Sequence, residues 1–198
     1  NIGLNVIASR MQSTTKFSGR DTVYTDRRYN FLPSASLFYK LQTHQNMRIS
    51  WVGNINQPGI MQLQNTIDYS NPAQLKKGNP LLKQEFNSQL SINYNSFNPK
   101  NFSSLNVAVT AVTMPNRIVN SIDTAGPGVT ITVPVNLSGS YNISLMLSKG
   151  LALQQLKAGK LLFTTMIFSL RDPGRVFGEN YFSYMSMLNQ QFQYTYTG

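Results

Sequence analysis

Apolar and polar residues alternate one by one along much of this chain. Ile2, Leu4, Val6 and Ala8 fall on one side of an extended backbone, and Asn1, Gly3, Asn5 and Ser9 mostly on the other, the period of a strand with two unlike faces. The pattern returns with Ala35, Leu37, Tyr39 and Leu41 against Ser34, Ser36, Lys40 and Gln42, then with Met47, Ile49 and Trp51 against Arg48, Ser50 and Asn54; "THQN" at 43–46 reads as the turn between them. Phe86, Leu90, Ile92 and Tyr94 next alternate with Asn and Ser, "NPKN" turns the chain at 98–101, and Leu105, Val107, Val109 and Ala111 follow. Val133 to Leu145 reads as one further strand, Lys160 to Leu170 as one that is apolar on both faces, and Leu188, Phe192, Tyr194 and Tyr196 as the last.

The pattern predicts about eight strands, with helical periodicity weak throughout. Their connectors alternate in length: Thr43–Asn46, Phe97–Phe102 and Gly150–Gly159 are short, whereas Thr15–Phe31, Ile55–Lys83, Pro115–Thr132 and Asp172–Tyr184 are long. That alternation puts every long connector at one end of an antiparallel up-and-down sheet, the layout of a transmembrane β-barrel with short turns inside the cell envelope and long loops outside. Pro58, Pro72 and Pro80 stiffen the longest of these loops, because each fixes φ and biases its predecessor toward extended geometry. Leu63, Ile67, Leu75, Leu81 and Leu82 give that loop apolar residues to pack internally and brace the barrel mouth.

Composition sharpens this reading. The chain has 17 Lys and Arg against 7 Asp and Glu, a net charge of +10, which taken alone suggests a polyanionic partner. Only 12% of residues are charged, though, and the densest basic groups are the pairs Arg27-Arg28 and Lys76-Lys77. No face aligns aromatics with cations, as a single-strand nucleic-acid platform requires, so no nucleic-acid partner is expected. The polar face of the strands is Ser, Asn, Gln and Thr with occasional Arg10, Lys40 and Arg48, which suits a wet lumen. Asp21, Asp26, Asp68, Asp123, Asp172 and Glu179 fall in the long connectors and Glu85 at a strand start. Charge is thereby expected to stay off the lipid-facing positions, where Lys or Arg at mid-bilayer costs about 2–4 kcal/mol. Tyr39, Tyr94 and Tyr196 sit on the apolar face near the short turns, as members of an interfacial aromatic girdle would.

Five stretches, in this order, resemble the barrel of Bacteroidota TonB-dependent receptor-like proteins, the outer-membrane β-barrel family: "LPSASLFYKL" (32–41), "NMRISW" (46–51), "NQPGIMQLQNTIDYSNP" (56–72), "GNPLLKQEF" (78–86) and "INYNSF" (92–97). Gln84 stands where the family usually has Pro, and Gln57 where it often has Arg. The resemblance implies that residues 1–198 are one β-barrel segment, with neither plug domain nor signal peptide among them, belonging to a larger barrel in the outer membrane of a Gram-negative bacterium. It implies outer-membrane lipid and a TonB-type energising complex as partners, with a surface lipoprotein as a further candidate. The function implied is uptake of an unknown small or oligomeric ligand: a bulky nutrient such as a glycan, a peptide or a metal chelate. A self-contained small barrel with a structural or adhesive role is the alternative.

Candidate chemistry is sparse. With no Cys and a single His, His44, in a predicted turn, there is no thiolate, no ligand cluster and no base with partners. The acids fall apart from one another in loops rather than converging. No enzyme activity, metal or cofactor is expected. For ligand contact the candidates are Asn71, Pro72, Gly78, Asn79 and Pro80 in the Pro-rich loop, and Tyr181 and Tyr184 in "NYFSYMSM", whose rings offer stacking surfaces.

Overall fold

The computed structural model describes residues 2–17, 20–153 and 159–196. Among them the fold is all-β, a curled antiparallel sheet resembling half of a barrel. Eight strands form the wall in the order β1 (Ile2–Phe17), β2 (Arg20–Gln42), β3 (Gln45–Asn56), β6 (Glu85–Asn98), β7 (Ser103–Met114), β10 (Ser140–Leu153), β11 (Gly159–Val176) and β12 (Glu179–Tyr196). Each pairs antiparallel with the next. Outside this run lie a single turn of helix, α1 (Ile60–Leu63), and the strands β4 (Ile67–Asp68), β5 (Gln74–Lys77), β8 (Arg117–Gly126) and β9 (Val129–Leu137).

The register turns the alternation along each strand into rows across the sheet. Leu37, Ile49, Ile92, Val109, Leu145, Ile167 and Leu188 stand directly opposite one another in sequence across seven strands. One position round, on the other face, Ser36, Ser50, Ser91, Thr110 and Ser144 form a row of hydroxyls. A third row, also on that face, runs Lys40, Asn46, Asn95, Asn106, Ser148, Thr164 and Gln191; within it Asn95 Nδ2 donates to Asn46 Oδ1 at 3.3 Å, and the Ser148 and Thr164 hydroxyls lie 3.4 Å apart. A one-residue slip between any two strands would put hydroxyls into lipid, so burial in hydrocarbon fixes the register. The aliphatic rows face lipid and the Ser/Asn rows face the lumen.

Because lipid is the partner of the outer face, large apolar side chains there are open in the protein itself: Leu37, Tyr39, Leu147, Leu188 and Phe192 are all exposed. Trp51 settles its one polar atom within that face, its indole N–H donating to Ser88 Oγ at 2.8 Å. The inner face of β10 to β12 departs from the polar rule. Met146, Met166, Phe168, Leu170, Met185 and Met187 alternate with outward residues and so point inward, which accounts for the two-sided apolar character of 160–170.

Three of the predicted long connectors are largely strand. β1 and β2 pair as far as Phe17 and Arg20, so most of 15–31 is ladder. The segment 172–184 is the top of a hairpin closed at Val176 and Glu179, its turn made by Phe177 and Gly178, both at positive φ. The segment 115–132 holds β8 and the start of β9. The predicted single strand from Val133 to Leu145 is two, β9 and β10, broken at Gly139 with φ of +97°, a conformation that suits glycine. Asp21, Asp26, Asp123, Asp172 and Glu179 accordingly lie in strands rather than loops. The physical reason is common to all: beyond the headgroups a ladder can continue with water on both faces, so extended backbone persists while the alternation that reveals it disappears. Of the short connectors, Thr43 and His44 form the first, Pro99 to Phe102 the second, and the third falls largely outside the described residues.

Ile92→Arg, at the middle of the outer face, is expected to destabilise the folded protein in lipid vesicles by about 2–4 kcal/mol, whereas Ser91→Arg, one residue away on the inner face, stays within about 1 kcal/mol. Urea titrations of the two variants give the comparison; equal losses would mean that the faces are assigned the wrong way round.

Candidate functional site

The segments 57–84 and 115–139 rise from the same end of the wall and extend its sheet. β5 pairs parallel with β9 through Gln74–Thr130, Leu75–Ile131 and Lys76–Thr132, while β4 covers the other edge of β5. β9 pairs with β8, and β8 pairs parallel with the top of β11 through Arg175–Ser121 and Val176–Ile122. The two excursions are thus one body joined to the wall. Leu63 and Leu82, almost wholly buried, give it a small core of its own; Ile67 and Leu81 lie open.

Gly78 is the closest joint of this body. A Cβ there would lie 2.0 Å from the Gln64 carbonyl oxygen and 2.7 Å from that of Met61, so no other residue lets the backbone pass α1 so closely. Asn79 follows as a tether: its N–H donates to the Gln62 carbonyl at 2.6 Å, its side-chain N–H to the Pro134 carbonyl at 3.0 Å, and its Oδ1 accepts from Leu81 N–H. Asn136 does the same from the opposite hairpin, donating to the Lys83 and Asn116 carbonyls and accepting from Lys83 N–H at 2.7 Å.

Two inward-facing carboxylates at the top of the wall hold the β8–β9 hairpin over the lumen. Glu85 is buried; it accepts from the Ile118 backbone N–H at 2.6 Å and from Asn56 Nδ2 at 2.8 Å. Asp172 accepts from the Ser140 hydroxyl at 2.8 Å and from Arg117 at 3.3 Å. Charge-assisted bonds of this kind are stronger than neutral ones, and Glu85, shielded from water, is the firmer of the two anchors. Among the described residues the side-chain atoms Gln84 Nε2, Asn87 Oδ1 and Arg117 Nε are buried without a protein partner.

The sequence candidates divide between cap and wall. Gly78 and Asn79 are joints of the cap. Asn71 and Pro72 form an exposed turn in which Asn71 Oδ1 accepts from Ala73 N–H at 3.1 Å, and Pro80 is exposed beside Asn79. Tyr181 and Tyr184, placed in a loop by the sequence reading, lie in β12 on opposite faces: Tyr181 inward, its ring over Gly174, and Tyr184 outward opposite Arg171. They therefore share no surface. Tyr39 and Tyr94 flank Met47 in one outward row, and Tyr196 stands outward opposite Gly159 near the other edge. His44, in its turn, meets Phe97 edge-on at 6.3 Å. The expectation that charge stays off the outer face is corrected at Lys149 and Arg171, which share outward rows with Phe163 and Tyr141 respectively, and at Arg175, outward opposite Asn180. All three lie toward the ends of their strands, where a long side chain reaches the headgroups.

A cleft of about 410 Å³ opens in the cap between α1 and the strands, lined by Met61, Gln64, Asp68, Lys76, Asn120 and Thr132 among others. The sequence offered no signal for it, because it joins residues from both excursions. At its edge the Ser70 hydroxyl and, to a lesser degree, the Ser70 backbone N–H donate to Asp68 and hold its pKa below the ordinary 3.8, with a smaller attraction from Lys76. Lys76 and Lys77 give this cleft positive charge. Among the described residues no group of His, Asp and Glu is arranged to hold a metal ion.

The family model described as "Outer membrane protein beta-barrel family" matches residues 7–197, spanning wall and cap alike. The chain belongs to this outer-membrane β-barrel family. No curated protein and no solved structure matches it. Membership places the chain in the outer membrane, in agreement with the lipid-facing rows.

Glu85→Gln is expected to weaken docking of the β8–β9 hairpin by about 1–2 kcal/mol, and Gly78→Ala to release the α1 segment from the chain beside it. Limited proteolysis should then cut within 117–137 or 60–77 respectively while the wall keeps its heat-modifiable gel mobility. Because the carboxylate of Asp68 is stabilised in the fold, its contribution is complete above the ordinary carboxylate pKa and is lost as pH falls below about 4. Backbone amide exchange at Ser70 should rise over that interval, relative to the intrinsic rate, and not in Asp68→Asn, which cannot titrate there.

Proposed function

We propose that the chain is part of the barrel of a TonB-dependent receptor-like transporter of the Bacteroidota type, which captures a bulky nutrient at the cap and passes it through a plugged lumen. The observation that carries this reading is the unclosed wall. Among the described residues β1 pairs only with β2 and β12 only with β11, so the ladder that spans the membrane ends in two open edges. Open edges do not persist in hydrocarbon, where each unpaired N–H and C=O is strongly unfavourable. Further strands supply the missing partners in this reading, and a barrel of more than eight strands encloses room for a plug and a large ligand. A capped mouth with a cleft lined by Lys76 and Lys77 favours a polar or anionic, oligomeric ligand. The ordered likeness of 32–97 to TonB-dependent receptor barrels supports the same assignment. No catalytic role is assigned; the energising complex and any surface lipoprotein act on the whole receptor.

The test begins with the native polypeptide: outer membranes probed with an antibody against this segment should show a heat-modifiable band several times heavier than the 22.2 kDa of this chain. Disrupting its gene should then abolish growth on one glycan, peptide or chelate to the same extent as disrupting the energising complex. A heat-modifiable band near the mass of this chain, or growth unaffected by loss of the energising complex, would sink the proposal, the former leaving a small structural barrel.

A further inference from the structure

Arg171 stands on the face where charge is least welcome. It lies outward on β11, in one row with Tyr141 and Tyr184. A strand crosses the hydrocarbon in about 9–11 residues; counted up from Gly159, where β11 begins beside the lower turn, Arg171 comes out at the outer-leaflet headgroups.

The guanidinium is held in a slot built for it. Its carbon lies 4.9 Å from the centre of the Tyr141 ring and 4.7 Å from that of Phe182, so aromatic rings from both neighbouring strands pack against the cation. Nε–H donates to the Gly139 carbonyl at 2.8 Å, which fixes the plane. Gly139 itself leaves the space: a Cβ there would sit 3.1 Å from Nη2 and 3.1 Å from the Phe182 ring. The slot supplies no countercharge. Asp172, next in the chain, faces the lumen and is engaged by Ser140 and Arg117. The ring faces occupied and Nε bonded, the two terminal amino groups keep their donors, with no protein acceptor among the described residues.

A rigid, always-charged fork whose free donors lie at a membrane surface matches one ligand chemistry, the paired oxygens of a phosphate. We propose that Arg171, clamped by Tyr141, Phe182 and Gly139, binds the phosphate group of an outer-leaflet lipid. Arg175 is on the same face four residues farther along the strand, about 13 Å at 3.3 Å per residue, and is placed to take a second phosphate of the same headgroup.

The full native protein, purified in a phosphate-free detergent, is titrated with phosphorylated lipid A, with the same lipid after enzymatic removal of its phosphates, and with inorganic phosphate, and bound lipid is counted by native mass spectrometry. Expected are preferential binding of the phosphorylated form, a loss of about tenfold in Arg171→Gln, and a smaller loss in Phe182→Leu, which keeps the charge and removes one ring. Arg171→Lys should recover only part of the affinity, since an ammonium lacks the fork. If Arg171 merely pinned the Gly139 corner, the folded variants would bind the phosphorylated and dephosphorylated lipids as the wild type does, and the proposal would be overturned. Equal competition by millimolar inorganic phosphate would overturn the lipid as its source. Should Arg171→Gln fail to fold, Phe182→Leu alone decides: unchanged preference for the phosphorylated lipid counts against the site.

Discussion

Everything in this structure follows from the need to bond every backbone N–H and C=O before it meets hydrocarbon. A helix would satisfy these groups within itself, but among the described residues no helix is long and apolar enough to cross a membrane, so the task falls to pairing between strands. Continuous pairing dictates neighbours, neighbours dictate register, and register dictates that one aliphatic row stays aliphatic across seven strands. The near absence of buried apolar side chains in the wall is the same constraint seen from outside. Among the described residues Leu32 and Met114 are buried there, while Leu63 and Leu82 belong to the cap; the apolar surface of the wall's outer face is partnered by lipid instead of by a protein core.

Sequence periodicity made the wall legible where two media meet the two faces of a strand. It was strongest at Ala35 to Leu41, Leu105 to Ala111 and Leu188 to Tyr196, each of which is wall. It failed in both directions elsewhere. Above the membrane, β8 and the tops of β1, β2, β11 and β12 have water around them and no reason to alternate, so extended chain looked like loop. At Ser138 and Gly139 the alternation kept its phase on either side of a break, and two strands looked like one; only the backbone geometry of Gly139 separates them.

The candidate site was legible in part for a related reason. The Asn-Pro and Gly-Asn-Pro signals of the long excursion announce stiff, non-helical backbone, and Gly78 and Asn79 are indeed where that backbone is held. What they are held against could not be read, since Pro134 and Asn136 lie some 55 residues farther on and pair through a parallel ladder that carries no local mark. Glu85 carried a faint signal as the one acid at the start of an alternating strand. Arg171 carried none, because its two rings come from different strands and its Gly from a corner that the periodicity concealed.

The parallel joints between β5 and β9 and between β8 and β11 bear on how a ligand is met. Long loops ordinarily sample many shapes, and a ligand that selects one of them must forfeit that freedom as part of its affinity. Here the two excursions are cross-linked to each other and to the wall before any ligand arrives. In the transporter reading proposed above, a ligand docking on the cap would meet a surface already ordered by folding, so that its selectivity would rest on fixed shape rather than on adaptation.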